Sequence, residues 1–132
     1  MGNDKMSDKK FAAAVNCMDG RTQAPVAEWM KKNFHVDYVD MVTEPGPIKI
    51  LAEFKDIPLI ANIKKRVEIS VSRHLSKAVA VVGHFDCAGN PVDKTTQVAQ
   101  IAEAVKKMKT WGFDVKIVGL WVDEEWKIEK VA

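Results

Sequence analysis

The run Ala78-Val79-Ala80-Val81-Val82-Gly83 constrains the fold more than any other stretch of the chain. It is too short for a helix and carries no polar side chain, the pattern of a strand buried on both faces, as in a parallel sheet covered by helices. It leads directly into His84-Phe85-Asp86-Cys87, so the strand delivers an imidazole and a thiol at its carboxyl end. The segment Phe11 to Asn16 repeats this design, running into Cys17-Met18-Asp19-Gly20-Arg21.

Elements of alternating type fill the rest. An amphipathic stretch from Pro25 to Phe34 reads as a helix, with proline suited to a first turn. Val36 to Val42 has the β-branched and aromatic content of a second strand, and Glu44-Pro45-Gly46-Pro47 breaks the chain in a turn. Ile60, Ile63, Val67, Val71 and Leu75 recur at helical spacing and predict a long helix from Ile57 to Leu75. Its Lys64, Lys65 and Arg66 read as a solvated face. Asp93 is placed to cap a helix whose buried face is Val98, Ile101, Val105 and Met108, ending near Gly112. Val115 to Val122 predicts a further buried strand, and the alternation from Trp126 to Val131 a half-exposed edge strand. The sum is an α/β domain with a mostly parallel central sheet, helices on both faces and a C-terminal edge strand.

A length of 132 residues with 47% hydrophobic residues suits a single core, here residues 11–132 behind a polar, flexible leader over 1–10. The leader has no apolar core of a signal peptide, and no run approaches the roughly 20 apolar residues of a membrane span. Basic residues number 20 against 18 acidic ones and are interspersed with them, which gives no nucleic-acid footprint. Two cysteines in such a chain point to a reducing, cytoplasmic setting, where thiols act as ligands, nucleophiles or core residues.

Ligands of open parallel sheets sit at the carboxyl ends of the strands, near the point where strand order reverses. If the two glycine- and cysteine-bearing loops lie on neighbouring strands, Cys17, His84 and Cys87 converge although about 70 residues separate them in sequence. Two thiolates and an imidazole suit zinc, and three protein ligands leave a fourth position for water or for Asp19. Arg21 can hold the Asp19 carboxylate away from the metal in a bidentate pair. The helix after Pro91 aims its N-terminal amides at the same loop, which favours an anion such as bicarbonate. His35 and His74 fall near helix ends and take no part, Asp86 is either a partner for His84 or a turn residue, and the four tryptophans read as packing or interface residues.

The pair Cys17-Met18-Asp19-Gly20-Arg21 and His84-Phe85-Asp86-Cys87 resembles the two signature motifs of the β-class carbonic anhydrases, Cys-x-Asp-x-Arg and His-x-x-Cys, and the inferred strand order agrees. The resemblance covers the chain from about Phe11 onward. It implies a β-carbonic-anhydrase-like fold, zinc held by Cys17, His84 and Cys87, and Asp19 with Arg21 as the catalytic pair that gates or orients the fourth ligand. It further implies reversible hydration of carbon dioxide to bicarbonate by zinc-bound hydroxide, in a homodimer or higher homo-oligomer.

The chain also departs from that family's pattern. Where members commonly carry Arg-Asn-Ala-Gly after the second strand, it has Met41-Val42-Thr43-Glu44-Pro45-Gly46-Pro47, and Ala88-Gly89 stands where glycine usually follows the second cysteine directly. These departures motivate two alternatives: hydrolysis of a carbonyl sulfide or carbon disulfide type of substrate, and a structural or regulatory zinc without turnover.

Overall fold

The structure is a computed structural model and describes residues 8–132, so residues 1–7 of the expected leader lie outside the described residues. The elements run β1 (Phe11–Cys17), α1 (Gly20–Phe34), β2 (Tyr38–Glu44), α2 (Pro47–Glu53), α3 (Ile57–Arg73), β3 (Ala78–His84), α4 (Lys94–Lys109), β4 (Lys116–Val122) and β5 (Ile128–Lys130). They build one five-stranded sheet of order β2-β1-β3-β4-β5. The first four strands are parallel and β5 joins β4 antiparallel. The α/β sheet with a C-terminal edge strand expected from the sequence is therefore the one found.

Every residue of β3 is buried, as its unbroken apolar run requires. One face of the sheet packs Val15, Val79, Val81 and Trp121 against Ile48 and Leu51 of α2, Ile60, Ile63 and Val67 of α3, and Ile101, Val105 and Met108 of α4. The other packs Ala12, Ala14, Ala80, Val82 and Leu120 with Val26 and Met30 of α1. Because β1 connects outward to β2 while β3 continues on its other side, the strand order reverses between β1 and β3, and a crevice opens there at their carboxyl ends.

Gly119 in the middle of β4 shows how tightly α4 sits on the sheet. A Cβ there would lie 2.3 Å from Ile101 Cγ2 and 2.9 Å from Ala132 Cβ, and the buried, β-branched Ile101 has little room to yield. Gly119→Ala is expected to destabilise the domain by about 1–3 kcal/mol, read as a lowered midpoint in urea unfolding.

Four local readings change. The first helix starts at Gly20, with Pro25 inside it, because Asp19 is its N-cap and accepts the Arg21 N–H at 2.9 Å. The turn at Glu44–Pro47 continues into α2, for which left-handed Gly46 and Pro47 form the entry. Leu75 leaves the α3 stripe: the helix ends at Arg73, and Leu75 sits at φ 58°, largely exposed. Arg66 is only partly exposed, and its guanidinium is paired with Glu44 at the end of β2.

Candidate metal centre

β1 and β3 are direct neighbours, with Val15 opposite Val81, so their carboxyl-terminal residues Cys17 and His84 emerge side by side. The turn after His84 folds back through left-handed Asp86 and brings Cys87 into the same crevice. The two sulfurs lie 3.9 Å apart, and the Cys17, His84 and Cys87 ligand atoms are all within 4.8 Å of one another. All three residues are buried.

The surroundings prepare these atoms as ligands. His84 Nδ1 donates to the Phe85 carbonyl oxygen at 2.7 Å, which leaves the lone pair on Nε2. That Nε2 is buried and has no hydrogen-bond partner among the described residues, a costly state for a polar atom unless something else occupies it. The loop that carries Cys87 is closed by the Asn90 N–H, which donates to the Cys87 carbonyl oxygen at 3.3 Å. The close contact of the two sulfurs favours ionisation of one thiol and disfavours ionisation of both. An orphaned imidazole nitrogen and two clustered sulfurs fit a zinc ion, whose preferred donors are these.

Asp19 and Arg21 stand beside this cluster and not within it. Arg21 Nη2 donates to Asp19 Oδ2 at 2.7 Å, and Nε reaches Oδ1 at 3.1 Å, so the fork engages both carboxylate oxygens. The Arg21 hydrogen bond, with burial working against it, holds the Asp19 carboxyl at about 2, ionised throughout the neutral range. The guanidinium is itself braced by the Asp86 carbonyl at 3.2 Å, the Asp86 carboxylate at 3.3 Å and the Trp126 ring, 4.6 Å from its centroid. Of the two roles open to Asp86 in the sequence, the turn is the one observed, and His84 takes a carbonyl as its partner instead.

Two residues with no functional motif complete the site. Gln97 of α4 is buried and clamps the His84 backbone: its Oε1 accepts the His84 N–H at 3.1 Å, and its Nε2 donates to the His84 carbonyl at 2.8 Å. Gly83 admits that clamp, since a Cβ there would lie 2.9 Å from Gln97 Oε1. On the other strand the buried Asn16 accepts the Cys17 N–H at 2.9 Å. The N-terminus of α4, expected to offer free amides to an anion, is instead capped by its own Asp93, which accepts the Thr96 N–H at 2.9 Å. α4 reaches the site through Gln97. A glutamine one position before a predicted buried Val98 was the available signal.

A family model described as "Putative carbonic anhydrase" matches residues 7–132. No curated protein matches the chain. Among solved structures, the carbonic anhydrase from Streptococcus mutans superposes with a TM-score of 0.63 at 16% identity, over 92% of this chain and 81% of that one. The β-carbonic anhydrase isoform I from Trichomonas vaginalis gives 0.60 at 13% identity, over 91% and 81%. An apo carbon disulfide hydrolase gives 0.51 at 13%, over 92% and 78%. These structural likenesses establish the β-carbonic anhydrase fold, and the family match, which takes in both cysteine loops and the whole sheet, establishes more: the chain belongs to this carbonic anhydrase family.

Proposed function

We propose that the protein is a zinc-dependent enzyme that reversibly hydrates carbon dioxide to bicarbonate, with Cys17, His84 and Cys87 as metal ligands and Asp19 and Arg21 as the catalytic pair. The observation that carries this reading is the division of labour between donors: three converge, among them a His84 Nε2 with no hydrogen-bond partner among the described residues, while the Asp19 carboxylate beside them is held by Arg21. A structural site would be closed by a fourth protein ligand, and the three-donor set leaves a position for water. Zinc bound there supplies Lewis acidity that lowers the pKa of water to about 7, making hydroxide available at neutral pH.

The chain's own residues do the rest. Asp19, ionised and fixed by Arg21, accepts a hydrogen bond and so orients a lone pair of the attacking oxygen toward carbon dioxide. Arg21, with its charge balanced by Asp19 and Asp86, keeps that carboxylate from rotating toward the metal. The Phe85 carbonyl keeps the imidazole in the tautomer whose lone pair is on Nε2, the nitrogen that would act as the ligand. A cytoplasmic location, where both thiols stay reduced, belongs to this reading. So does a homo-oligomer packed through the surface of Pro25, Trp29, Trp126 and Ile128.

Metal analysis of the purified chain is expected to find one zinc per chain, and stopped-flow carbon dioxide hydration to find turnover that falls at least about 100-fold in Asp19→Ala, the scale of a positioned acid–base group. Wild-type turnover equal to that of the buffer would sink the proposal. A second reading, a carbonyl sulfide or carbon disulfide type of substrate, is favoured by Met18 and Phe85, large exposed side chains adjoining Cys17 and His84. It requires a higher kcat/KM for the sulfur compound than for carbon dioxide.

A further inference from the structure

The opposite end of the sheet holds a second concavity. The amino-terminal ends of β1, β3 and β4 and the carboxyl-terminal ends of α1 and α3 enclose a cavity of about 520 Å³, within the range of small-molecule sites. Strands of seven residues separate it from the metal centre by about 20 Å. Its walls are apolar, with Phe11, Phe34, Val36 and Ala78 among them, and Lys9, Lys10, Lys77 and Lys116 also line it.

Two of the carboxylates on this side are already engaged, whereas exposed Asp8 and Asp114, near Lys9 and Lys116 in sequence, make no ion pair among the described residues. Asp37 accepts the Lys10 backbone N–H at 2.8 Å, and Asp40 is bonded to His74 Nδ1 at 2.7 Å, with the His74 ring stacked on Phe11 at 4.1 Å between centroids. None of the four lysine ammonium groups has a carboxylate within 4.0 Å among the described residues. The helix ends that face this side carry partial negative charge, so the positive charge in the lining comes from its lysines.

Leu75 supplies an independent observation. It lies in the cavity lining at φ 58°, in the position after a helix where glycine is usual, with Ser76 N–H closing back on the Ser70 carbonyl at 3.2 Å. The helix end accounts for the left-handed backbone, but the leucine side chain itself is 68% exposed and finds little cover within the chain. It extends the apolar wall to the rim.

We propose that this cavity binds an amphiphilic organic anion, an acyl or aryl body seated against Phe11, Phe34 and Leu75 with a carboxylate-type head among the lysines. Its recognition does not depend on the metal-centre reading. The test is a titration of the full chain with decanoate, followed by calorimetry and by backbone amide NMR, with decanol and inorganic phosphate as separate arms. Decanoate is expected to bind more tightly than either, shifting amides of Phe11, Phe34, Leu75 and Lys77. The variant carrying Lys77→Glu and Lys116→Glu should weaken decanoate binding at least about tenfold, with carbon dioxide hydration and thermal unfolding unchanged. Equal binding of decanol or phosphate, shifts confined to the Cys17 and Cys87 loops, an unaffected double variant or no decanoate binding would each overturn the proposal.

Discussion

Replacing Cys87 with serine is expected to remove stoichiometric zinc and carbon dioxide hydration together. The hydroxyl is shorter and far less acidic than the thiol, and it would face the Cys17 sulfur, now 3.9 Å from its partner, without supplying a second negative charge. Loss of a ligand exceeds the 10–100-fold affinity loss, roughly, that follows from disturbing an outer-shell partner, so zinc should wash out during gel filtration. The fold should survive, because Cys87 lies in a loop and contributes little to either face of the core. Zinc content by mass spectrometry, stopped-flow rates and a thermal unfolding curve check all three statements. Retained zinc at wild-type stoichiometry would remove Cys87 from the ligand set.

The second large effect is expected at Gln97. Truncation to alanine empties buried volume and leaves the His84 N–H and carbonyl without partners in a dry interior, at a cost of about 2–5 kcal/mol. Gln97→Met keeps the volume and isolates the hydrogen bonds, while Gln97→Glu keeps the acceptor but sets a carboxylate oxygen against the His84 carbonyl. If Gln97 positions the metal ligand, the methionine variant should hold zinc about 10–100-fold more weakly in a chelator competition run well below its melting temperature. A variant that is merely less stable would match wild type in that assay.

The three clustered donors were legible because Cys17 and His84 are chemically scarce residues at the ends of apolar runs and Cys87 follows three positions after His84. The unbroken apolar run Ala78–Gly83 read as a buried strand, and this fixed where His84 would emerge. Partners were far less legible. Asp19, read from the sequence only for its chemistry, is also the N-cap of α1, and leaving out that second role pushed the start of the helix to Pro25. Gln97 was hidden by the stripe logic, which assigns polar residues to the solvent side, although here a polar side chain faces inward to satisfy a strand backbone. Arg66 was misplaced for a related reason: a helix surface residue becomes a partner only when the fold brings Glu44 alongside, and no local pattern records that pairing. The second helix was lost because Pro45, Gly46 and Pro47 signal a break, while only φ 60° at Gly46 shows that the break is also an entrance.

The loop after β2 and the loop carrying Cys87 press together at two glycines. A Cβ on Gly89 would lie 2.7 Å from the Pro45 carbonyl carbon, and one on Gly46 would lie 2.9 Å from Asn90 Cβ. Neither position can gain a side chain unless the facing loop retreats, so the two segments fit each other as a matched pair. The chain's two departures from the common β-carbonic anhydrase pattern, Glu44-Pro45-Gly46-Pro47 in one loop and a glycine shifted one place beyond Ala88 in the other, then read as a single compensated change. The shifted glycine stands at the point where Pro45 touches. Grafting either loop alone from a relative would therefore bring a steric conflict along with it, whereas exchanging both would carry the fit across intact.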